Sequence, residues 1–249
     1  MARLHHKTAV ITGGTTGIGF ETAKQFLAEG ARVIITGQSE ERLQIAVQAL
    51  NSSVIPVRAD VRSLADLDAL ATRVQQEWGG LDILFANAGI GSFAPLESID
   101  ELFYDNQFDI NVKGVFFTVQ KLSKLLNEGA SIILNASAVN QKGVAMGSIY
   151  FATKASVRSF ARTLAAEMSS RKIRVNAISP GLVPTQFQSK MGLPQEAIDN
   201  FADYVTRTAP LGRLGKPREI ASAVLFLASD ESSYMTAADL AIDGGYMNV

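Results

Sequence analysis

The chain has 249 residues, 47% of them hydrophobic and 19% charged, with a formal net charge of −1 at pH 7; this composition is globular, and the near-neutral balance argues against nucleic-acid or anionic-membrane partners. There is no cysteine, which excludes disulfides, thiolate catalysis and cysteine-ligated zinc, and no metal site is predicted. Because the N-terminus lacks the apolar core of a signal peptide and no apolar run reaches the ~18 residues of a membrane span, we expect a cytoplasmic protein.

Short β-rich runs alternate with longer helical patterns along the chain. Strands are predicted at 7–12, 32–36, 54–59, 82–87, 131–137, 173–179 and 239–243. Helices are predicted at about 17–29, 39–50, 63–78, 100–127, 148–170, 195–208 and 217–229. This rhythm predicts an α/β, doubly wound fold, in which a parallel sheet carries helices on both faces. Residues 184–215 interrupt it, and we expect them to form a substrate lid on a single domain spanning 1–249.

The stretch TGGTTGIG at 12–19 joins the first strand to the first helix. Gly13, Gly17 and Gly19 would allow a tight turn and the close approach of a pyrophosphate to the helix N-terminus. The spacing differs from the common G-x-G-x-x-G pattern, and an ordinary glycine-rich turn is the alternative. No Lys-Ser/Thr follows the last glycine, so a phosphate-transferring P-loop is not predicted.

Four further strands end in residues suited to ligand binding, at the edge where sheets of this kind place ligands. These residues are Asp60, Asn87-Ala88-Gly89, Ser137 and Pro180-Gly181. Asp60 could instead cap a helix, and Asn87 could be a turn residue. Their convergence on one edge favours a single binding crevice.

Tyr150 and Lys154 lie one helical turn apart at the start of the amphipathic stretch SIYFATKASVRSFARTLAAEM. Residues four apart share a helix face, so the ammonium is expected beside the phenol. A nearby positive charge favours the phenolate and would lower the pKa of Tyr150 from its ordinary value of about 10. Tyr150 could then exchange a proton with a substrate near neutral pH. Alternatively, Tyr150 is a core residue and Lys154 a solvated charge.

Taken in order, TGGTTGIG, the NAG at 87–89, Ser137, Tyr150-x-x-x-Lys154 and the PG at 180–181 resemble the short-chain dehydrogenase/reductase family. The resemblance covers nearly the whole chain, and the thirteen-residue spacing from Ser137 to Tyr150 agrees with it. It implies a seven-stranded Rossmann-like sheet in the order 3-2-1-4-5-6-7, a nicotinamide cofactor and a homotetramer. Phe151 is a departure, because the family commonly has a small residue there.

The resemblance implies four catalytic residues: Asn111, Ser137, Tyr150 and Lys154. Tyr150 is the predicted proton donor and acceptor, and Ser137 would donate a hydrogen bond to the substrate oxygen. Lys154 would tune Tyr150 and hold the nicotinamide ribose. Asn111, in DINVKG, would hold a water that relays protons through Lys154, although it could simply be an interior polar residue.

Cofactor contacts are predicted along the whole crevice. The residues are Gly13, Thr15, Thr16, Gly17, Ile18, Gly19, Gln38, Ser39, Asp60, Val61, Asn87, Ala88, Gly89, Tyr150, Lys154, Pro180, Gly181, Val183 and Thr185. The second strand ends at Thr36 with no carboxylate following, which disfavours strict NAD use. NADP-preferring relatives commonly have a basic residue at the position of Gln38 or of Thr16, and this chain has none at either position. NADP(H) is favoured over NAD(H), and dual use stays open.

Substrate-binding residues are predicted to be Ser137, Val139, Tyr150 and Phe187. Other apolar residues expected around the nicotinamide, or alternatively in ordinary core, are Phe93, Val144, Met146, Phe151 and Met191. Such a wall favours a small-molecule substrate that is a bulky or aromatic ketone or secondary alcohol.

Two alternative functions stay open at this point. The first is a 3-oxoacyl-(acyl carrier protein) reductase, which needs a basic surface that Arg158, Arg162, Arg171 and Lys172 could supply. The second is a non-catalytic dinucleotide-binding regulator, which the intact Ser137, Tyr150 and Lys154 argue against.

Overall fold

A computed structural model describes residues 2–51, 53–188 and 191–249. Its centre is a seven-stranded sheet in the order β3-β2-β1-β4-β5-β6-β7, and neighbouring strands pair in parallel. The strands are β1 (Thr8–Ile11), β2 (Arg32–Gly37), β3 (Val54–Arg58), β4 (Leu81–Ala86), β5 (Leu126–Asn135), β6 (Arg174–Pro180) and β7 (Asp239–Ile242). The predicted fold class and strand order are confirmed.

The helices cover both faces of the sheet. They are α1 (Gly17–Ala28), α2 (Glu40–Ala49), α3 (Leu64–Trp78), α4 (Glu101–Phe108), α5 (Gly114–Leu122), α6 (Ser148–Glu167), α7 (Gln195–Thr208) and α8 (Pro217–Ala228). One apolar layer joins α3, α5 and α6 to the sheet, and the other joins α1, α2 and α8 to its opposite face. The strands are near-continuous apolar runs because both of their sides are buried.

The strand order reverses between β1 and β4, which are neighbours in the sheet although β2 and β3 lie between them in the chain. Loops leaving these two strands turn to opposite faces, and a crevice opens between them at the carboxyl ends. Hence the sheet itself brings the glycine loop after β1 beside the NAG segment after β4.

The long helix predicted at 100–127 is divided. A π-helical turn at Asp109–Lys113 separates α4 from α5, and a 3₁₀ turn at Ser123–Leu125 follows α5. The prediction was wrong at its end, because β5 already begins at Leu126, which pairs with Leu81. The pairing then shifts register before Ser131, and Gly129 in this stretch has a φ of 78°. The first residues of β5, LNEGA, are mostly polar, so no apolar strand pattern marks where the strand begins.

The region of the predicted lid contains a loop, the helix α7 and a second loop that leads to α8. Val205 and Ala209 of this segment pack on Tyr246 near the C-terminus. Ser189 and Lys190 of the predicted lid lie outside the described residues. No helix in the described part of the chain combines the length and apolar character that a membrane crossing requires.

Candidate active site

A cleft of about 370 Å³ runs along the carboxyl ends of the central strands. The glycine loop and the end of β2 line one end of it, and Ser137, Tyr150 and Lys154 line the other. Predicted cofactor residues that do line it are Gly13, Thr15, Thr16, Gly17, Ile18, Gln38, Ser39, Val61, Asn87, Ala88, Gly89, Tyr150, Lys154, Pro180, Gly181, Val183 and Thr185. The structure therefore brings most of the predicted residues together in one cleft.

The glycine loop needs its glycines for two different reasons. Gly13 and Gly17 have φ values of 64° and 56°, a left-handed conformation that other residues rarely adopt. Gly19 is instead a packing position, because an added Cβ would lie 2.3 Å from the carbonyl oxygen of Gly13. Gly19 does not line the cleft and shapes the loop, and its cofactor contact stays a prediction.

Asn87 holds the glycine loop against β4. Its Nδ2 donates to the carbonyl oxygens of Thr12 at 3.0 Å and Gly13 at 3.1 Å. The Thr12 hydroxyl accepts from the backbone N–H groups of Asn87 and Ala88, both at 3.0 Å. The Asn87 amide is thus committed to protein groups, and the backbone of residues 87–89 is what it presents to a ligand.

Tyr150 is buried at the start of α6, with 8% of its surface exposed. Burial raises its pKa to about 12, and a hydrogen bond with Ser137 opposes that rise. The pKa of Tyr150 is therefore shifted in the direction opposite to the one that the neighbouring Lys154 predicts. Desolvation of the phenolate outweighs any attraction from the lysine.

Lys154 is 5% exposed and directs its ammonium at the sheet. Its Nζ donates to the carbonyl oxygen of Asn135 at 2.8 Å and lies 5.8 Å from the centre of the Tyr150 ring. Burial lowers the pKa of Lys154 to about 8. The ammonium consequently faces the β5 backbone and the cleft more than the phenol.

Asn111 lies in the π-helical turn and is 1% exposed. Its Nδ2 donates to the carbonyl oxygen of Ile90 at 2.8 Å and to Thr153 Oγ1 at 3.1 Å, while its Oδ1 accepts from Ile90 N at 2.9 Å. It does not line the cleft, although a Cβ on Gly89 would lie 3.1 Å from its Oδ1 and 3.4 Å from Lys154 Nζ. Asn111 therefore joins the loop after β4 to α6, behind Gly89.

The end of the cleft near β2 contains an arginine that the sequence reasoning missed. Arg42 lines the cleft beside Gln38 and Ser39, and the Ser39 hydroxyl accepts from Arg42 N at 3.2 Å as the N-cap of α2. No ion pair forms between Arg42 and an acidic side chain among the described residues. The available signal was the helix start, because Arg42 is the third residue of α2, whose N-cap Ser39 borders the crevice.

Asp60 is turned away from the cleft. Its Oδ2 pairs with Arg62 Nη2 at 2.6 Å, and this hydrogen bond holds the pKa of the Asp60 carboxyl below its usual range. A side-chain hydrogen bond from Gln38 acts in the same direction. Asp60 does not line the cleft, whereas its neighbours Ala59 and Val61 do. Its charge is matched by Arg62, so the carboxylate repels an anion in the cleft only weakly.

Aromatic rings surround Tyr150 at the other end. The Tyr150 ring centre lies 5.4 Å from that of Phe93, 6.2 Å from Phe151 and 6.0 Å from Phe187. Phe151 is accommodated by Gly147, where an added Cβ would lie 2.7 Å from the Phe151 ring. The unusual residue after Tyr150 is thus matched by local packing.

The other predicted substrate residues are placed differently. Val139 does not line the cleft, and its backbone N–H donates to Ser137 Oγ at 3.4 Å; its substrate contact stays a prediction. Val144 and Met146 are 43% and 40% exposed, and Met191 is buried. Cleft residues that the sequence reasoning did not select are Thr36, Gly37, Arg42, Ala59, Ile90, Gly91, Ile110, Asn135, Ala136 and Gln186.

With this geometry in place, known proteins can be compared with the chain. A family model described as enoyl-(acyl carrier protein) reductase matches residues 13–247. The chain is 42% identical over 249 residues to Oxidoreductase asL5 of Sarocladium schorii, covering 99% of this chain and 98% of that protein. It is 38% identical over 248 residues to 3-oxoacyl-[acyl-carrier-protein] reductase FabG of Thermotoga maritima, covering 98% of each.

Solved structures share the whole architecture. A crystal structure from Brucella melitensis, described as short-chain dehydrogenase/reductase SDR: glucose/ribitol dehydrogenase, matches with a TM-score of 0.92. The two chains are 31% identical, and the match covers 99% of each. Such coverage leaves no large part of either chain without a counterpart.

Proposed function

Because the chain belongs to the short-chain dehydrogenase/reductase family, we propose that it transfers a hydride between NADP(H) and a bulky or aromatic ketone or secondary alcohol. The observation that carries the proposal is that Ser137, Tyr150 and Lys154, the last two of them buried, line one end of the same cleft as the glycine loop. The proposed catalytic residues are Ser137, Tyr150 and Lys154, and Asn111 supports them.

The cleft fits a dinucleotide. The left-handed backbone at Gly13 and Gly17 leaves the N-terminus of α1 uncovered, where a pyrophosphate would be held by backbone N–H groups. Gly89 leaves open the space beside Lys154 that a ribose would need. When bound, the nicotinamide supplies or accepts the hydride.

Tyr150 would move the proton. With its pKa raised to about 12, its Oη carries a proton at neutral pH and can donate it to a carbonyl oxygen during reduction. The Ser137 hydroxyl, which lines the same end of the cleft, would donate its hydrogen bond to that substrate oxygen as negative charge develops. Lys154 would hold the ribose and stay fixed through its hydrogen bond to Asn135.

Arg42 supports the NADP(H) preference. A 2′-phosphate carries almost two negative charges, and a guanidinium fork suits it better than a neutral amide. Arg42 lines the cleft with Thr15 and Ser39, and the nearby Asp60 is already paired with Arg62. The basic residue that Gln38 fails to provide would therefore come from the next helix.

The aromatic wall supports an aryl or otherwise bulky substrate. Phe93, Phe151 and Phe187 lie around Tyr150, and within the described residues Lys154 is the charged side chain on this part of the cleft. A sugar would leave its hydroxyls unpaired against these rings, which is unfavourable. We also propose that the loop bearing Phe187 acts as the lid over this end.

Acyl-carrier substrates are the second candidate, which the similarity to FabG favours. An acidic carrier protein would need a basic surface, but two of its predicted residues are already in ion pairs. Arg158 pairs with Asp239, and Lys172 pairs with Glu128. Arg171 donates to the carbonyl oxygens of Ser123 and Leu126. Arg171 and Lys172 also precede β6, at the amino edge of the sheet and opposite the cleft.

Consumption of NADPH would test the proposal with acetophenone, a polyol-derived ketone and an acetoacetyl carrier protein as parallel substrates. We expect acetophenone to give the highest kcat/KM and NADPH to exceed NADH. Faster turnover of the carrier substrate would favour the second candidate. No hydride transfer to any ketone would favour a non-catalytic dinucleotide-binding protein.

We further propose a homotetramer with two-fold interfaces on α5 and α6. Phe116 of α5 is 39% exposed, and its ring centre lies 5.7 Å from that of Phe160 of α6. Partly exposed aromatic rings on adjacent helices are typical of self-complementary contacts. Light scattering should give about four times the 26.7 kDa chain mass, and a stable monomer would contradict the proposal.

A further inference from the structure

A polar network lies beside the cleft, behind the turn that follows Ser137. We call it the Asp239 network, and its members are Asn140, Arg158, Ser179 and Asp239. Asn140 Nδ2 donates to Ser179 Oγ at 2.7 Å and to Asp239 Oδ2 at 3.1 Å. Ser179 Oγ donates to the other carboxylate oxygen, Asp239 Oδ1, at 2.5 Å. None of the four lines the cleft in the described part of the chain.

Arg158 brings the catalytic helix into the network. It lies one helical turn after Lys154 in α6, and its Nε is 3.0 Å from Asp239 Oδ2. This Nε–H has no aligned hydrogen-bond acceptor among the described residues, so the contact acts through charge. The Asp239 side chain is 11% exposed, and burial strengthens such an attraction relative to a surface pair.

The network is not arranged for stability alone. Asn140 Oδ1 is buried and accepts no hydrogen bond from the described residues. An unpaired buried acceptor destabilises a fold, and such groups in native proteins call for an explanation. What the arrangement does achieve is to fix the short turn Ala138–Gln141, which begins directly after Ser137, to the strands β6 and β7.

We propose that Asp239 is a positioning residue that holds Ser137 in register with Tyr150, an inference that rests on the proposed function. Asn140 fixes the turn after Ser137 to Asp239, and Arg158 fixes the helix of Tyr150 to the same carboxylate. Ser137 and Tyr150 must share one substrate oxygen. A misplacement of about 1 Å can reduce a rate by about 10²-fold.

The test is the kinetic effect of Asp239→Ala on the oxidation of 1-phenylethanol. We expect kcat to fall about 10–100-fold, by the same reasoning, while KM for NADP changes less than about twofold. The kcat of Asp239→Asn should fall less than that of Asp239→Ala, because the new amide oxygen can still accept the hydrogen bond from Ser179. Since the Ser137 hydrogen bond lowers the pKa of Tyr150, the acid limb of the pH profile should move to higher pH. If Asp239→Ala does not fold, Asn140→Ala replaces it, because it removes the bond that joins the turn to Asp239, and the same shift is expected.

Asp82→Ala is the matched control. Asp82 is a partly buried carboxylate that accepts from Thr8 N at 2.8 Å and from Asn127 Nδ2 at 2.9 Å, at the amino edge of the sheet. The Asp82→Ala variant should have a lower melting temperature and an unchanged pH profile of kcat. In a Ser137→Ala background, Asp239→Ala should cost less than about threefold, since its effect acts through Ser137.

Two results would overturn the positioning role and leave the proposed function intact. One is that Asp239→Ala lowers kcat as much in the Ser137→Ala background as in the wild type. The other is that Asp239→Ala lowers the melting temperature but leaves kcat and the pH profile unchanged. A wild-type chain that oxidises no secondary alcohol would instead overturn both proposals.

Discussion

The two ends of the cleft are built differently. At the end near β2, the polar side chains of Gln38 and Arg42 border solvent, and the glycine loop presents backbone. At the other end, the functional side chains are buried, with Tyr150 8% and Lys154 5% exposed. Exposed charges are screened by water and salt, whereas buried ionisable groups have their pKa values shifted by desolvation. Substitutions should therefore have large effects at the buried end and graded effects at the exposed end.

Lys154→Met should give the largest change and should separate activity from stability. The variant loses the proposed ribose contact and the charge beside Tyr150, so kcat/KM should fall about 10²–10³-fold, the range of a catalytic side chain. The melting temperature should nevertheless rise at pH 7, because the variant no longer buries an ammonium. Calorimetry across pH checks this second effect.

The pH dependence of that gain has a definite sign. The pKa of Lys154 is about 8 in the folded protein, against 10.5 as its ordinary value. Below pH 8 the folded chain contains the unfavourable buried charge, so the gain there should be about 1–3 kcal/mol. Between pH 8 and 10.5 the folded wild type releases this proton while the unfolded chain keeps it, so wild-type stability recovers and the gain shrinks. A gain that grows with pH would contradict the shifted pKa.

Arg42→Gln should have a smaller effect, confined to one cofactor. Loss of a charge-assisted contact to the 2′-phosphate should lower kcat/KM for NADPH about tenfold and leave that for NADH within about twofold. The effect should weaken at high salt, because Arg42 is exposed. Arg73→Gln is the control, since Arg73 is an exposed arginine paired with Glu77 on α3. An unchanged NADPH/NADH ratio in Arg42→Gln would remove Arg42 from the cofactor site.

Gly91→Ala should give the smallest change. An added Cβ would lie 2.5 Å from the far edge of the Phe187 ring and 3.2 Å from the Tyr150 ring, so the Phe187 side chain would have to turn aside. The expected result is a rise of about two- to fivefold in KM for an aryl ketone, with kcat and melting temperature nearly unchanged. Gly143→Ala is the control, because nothing lies within 4 Å of a Cβ there. Equal KM values for both variants would argue against Phe187 as the lid.

The sequence predicts the framework well, because a parallel sheet leaves a strong pattern. The parallel sheet, the glycine loop and the Tyr150–Lys154 pair follow from buried apolar runs and a few spaced polar residues, whereas the strand order follows from the resemblance to the family. The start of β5 was missed because its first residues are polar and its register shifts at Leu81/Ile83.

Other features of the site depend on contacts between distant residues. The direction of the Tyr150 pKa shift depends on burial, which helical spacing alone does not give. Asn140 meets Asp239 across 99 positions of the chain, and no local pattern links them. The orientation of Asp60 toward Arg62 likewise follows from the folded loop.

The most direct measurement of the central claim, that the Tyr150 phenol delivers the proton, is single-turnover reduction of acetophenone by NADPH at pH 7 with Tyr150→Phe. The ring and its packing are kept and only the hydroxyl is lost, so the rate should fall about 10³-fold or more while the Kd for NADPH stays within about twofold. Tyr104→Phe is the control, since Tyr104 is partly exposed and stacks on Phe108 on α4. A Tyr150→Phe variant that keeps most of the wild-type rate would contradict the account.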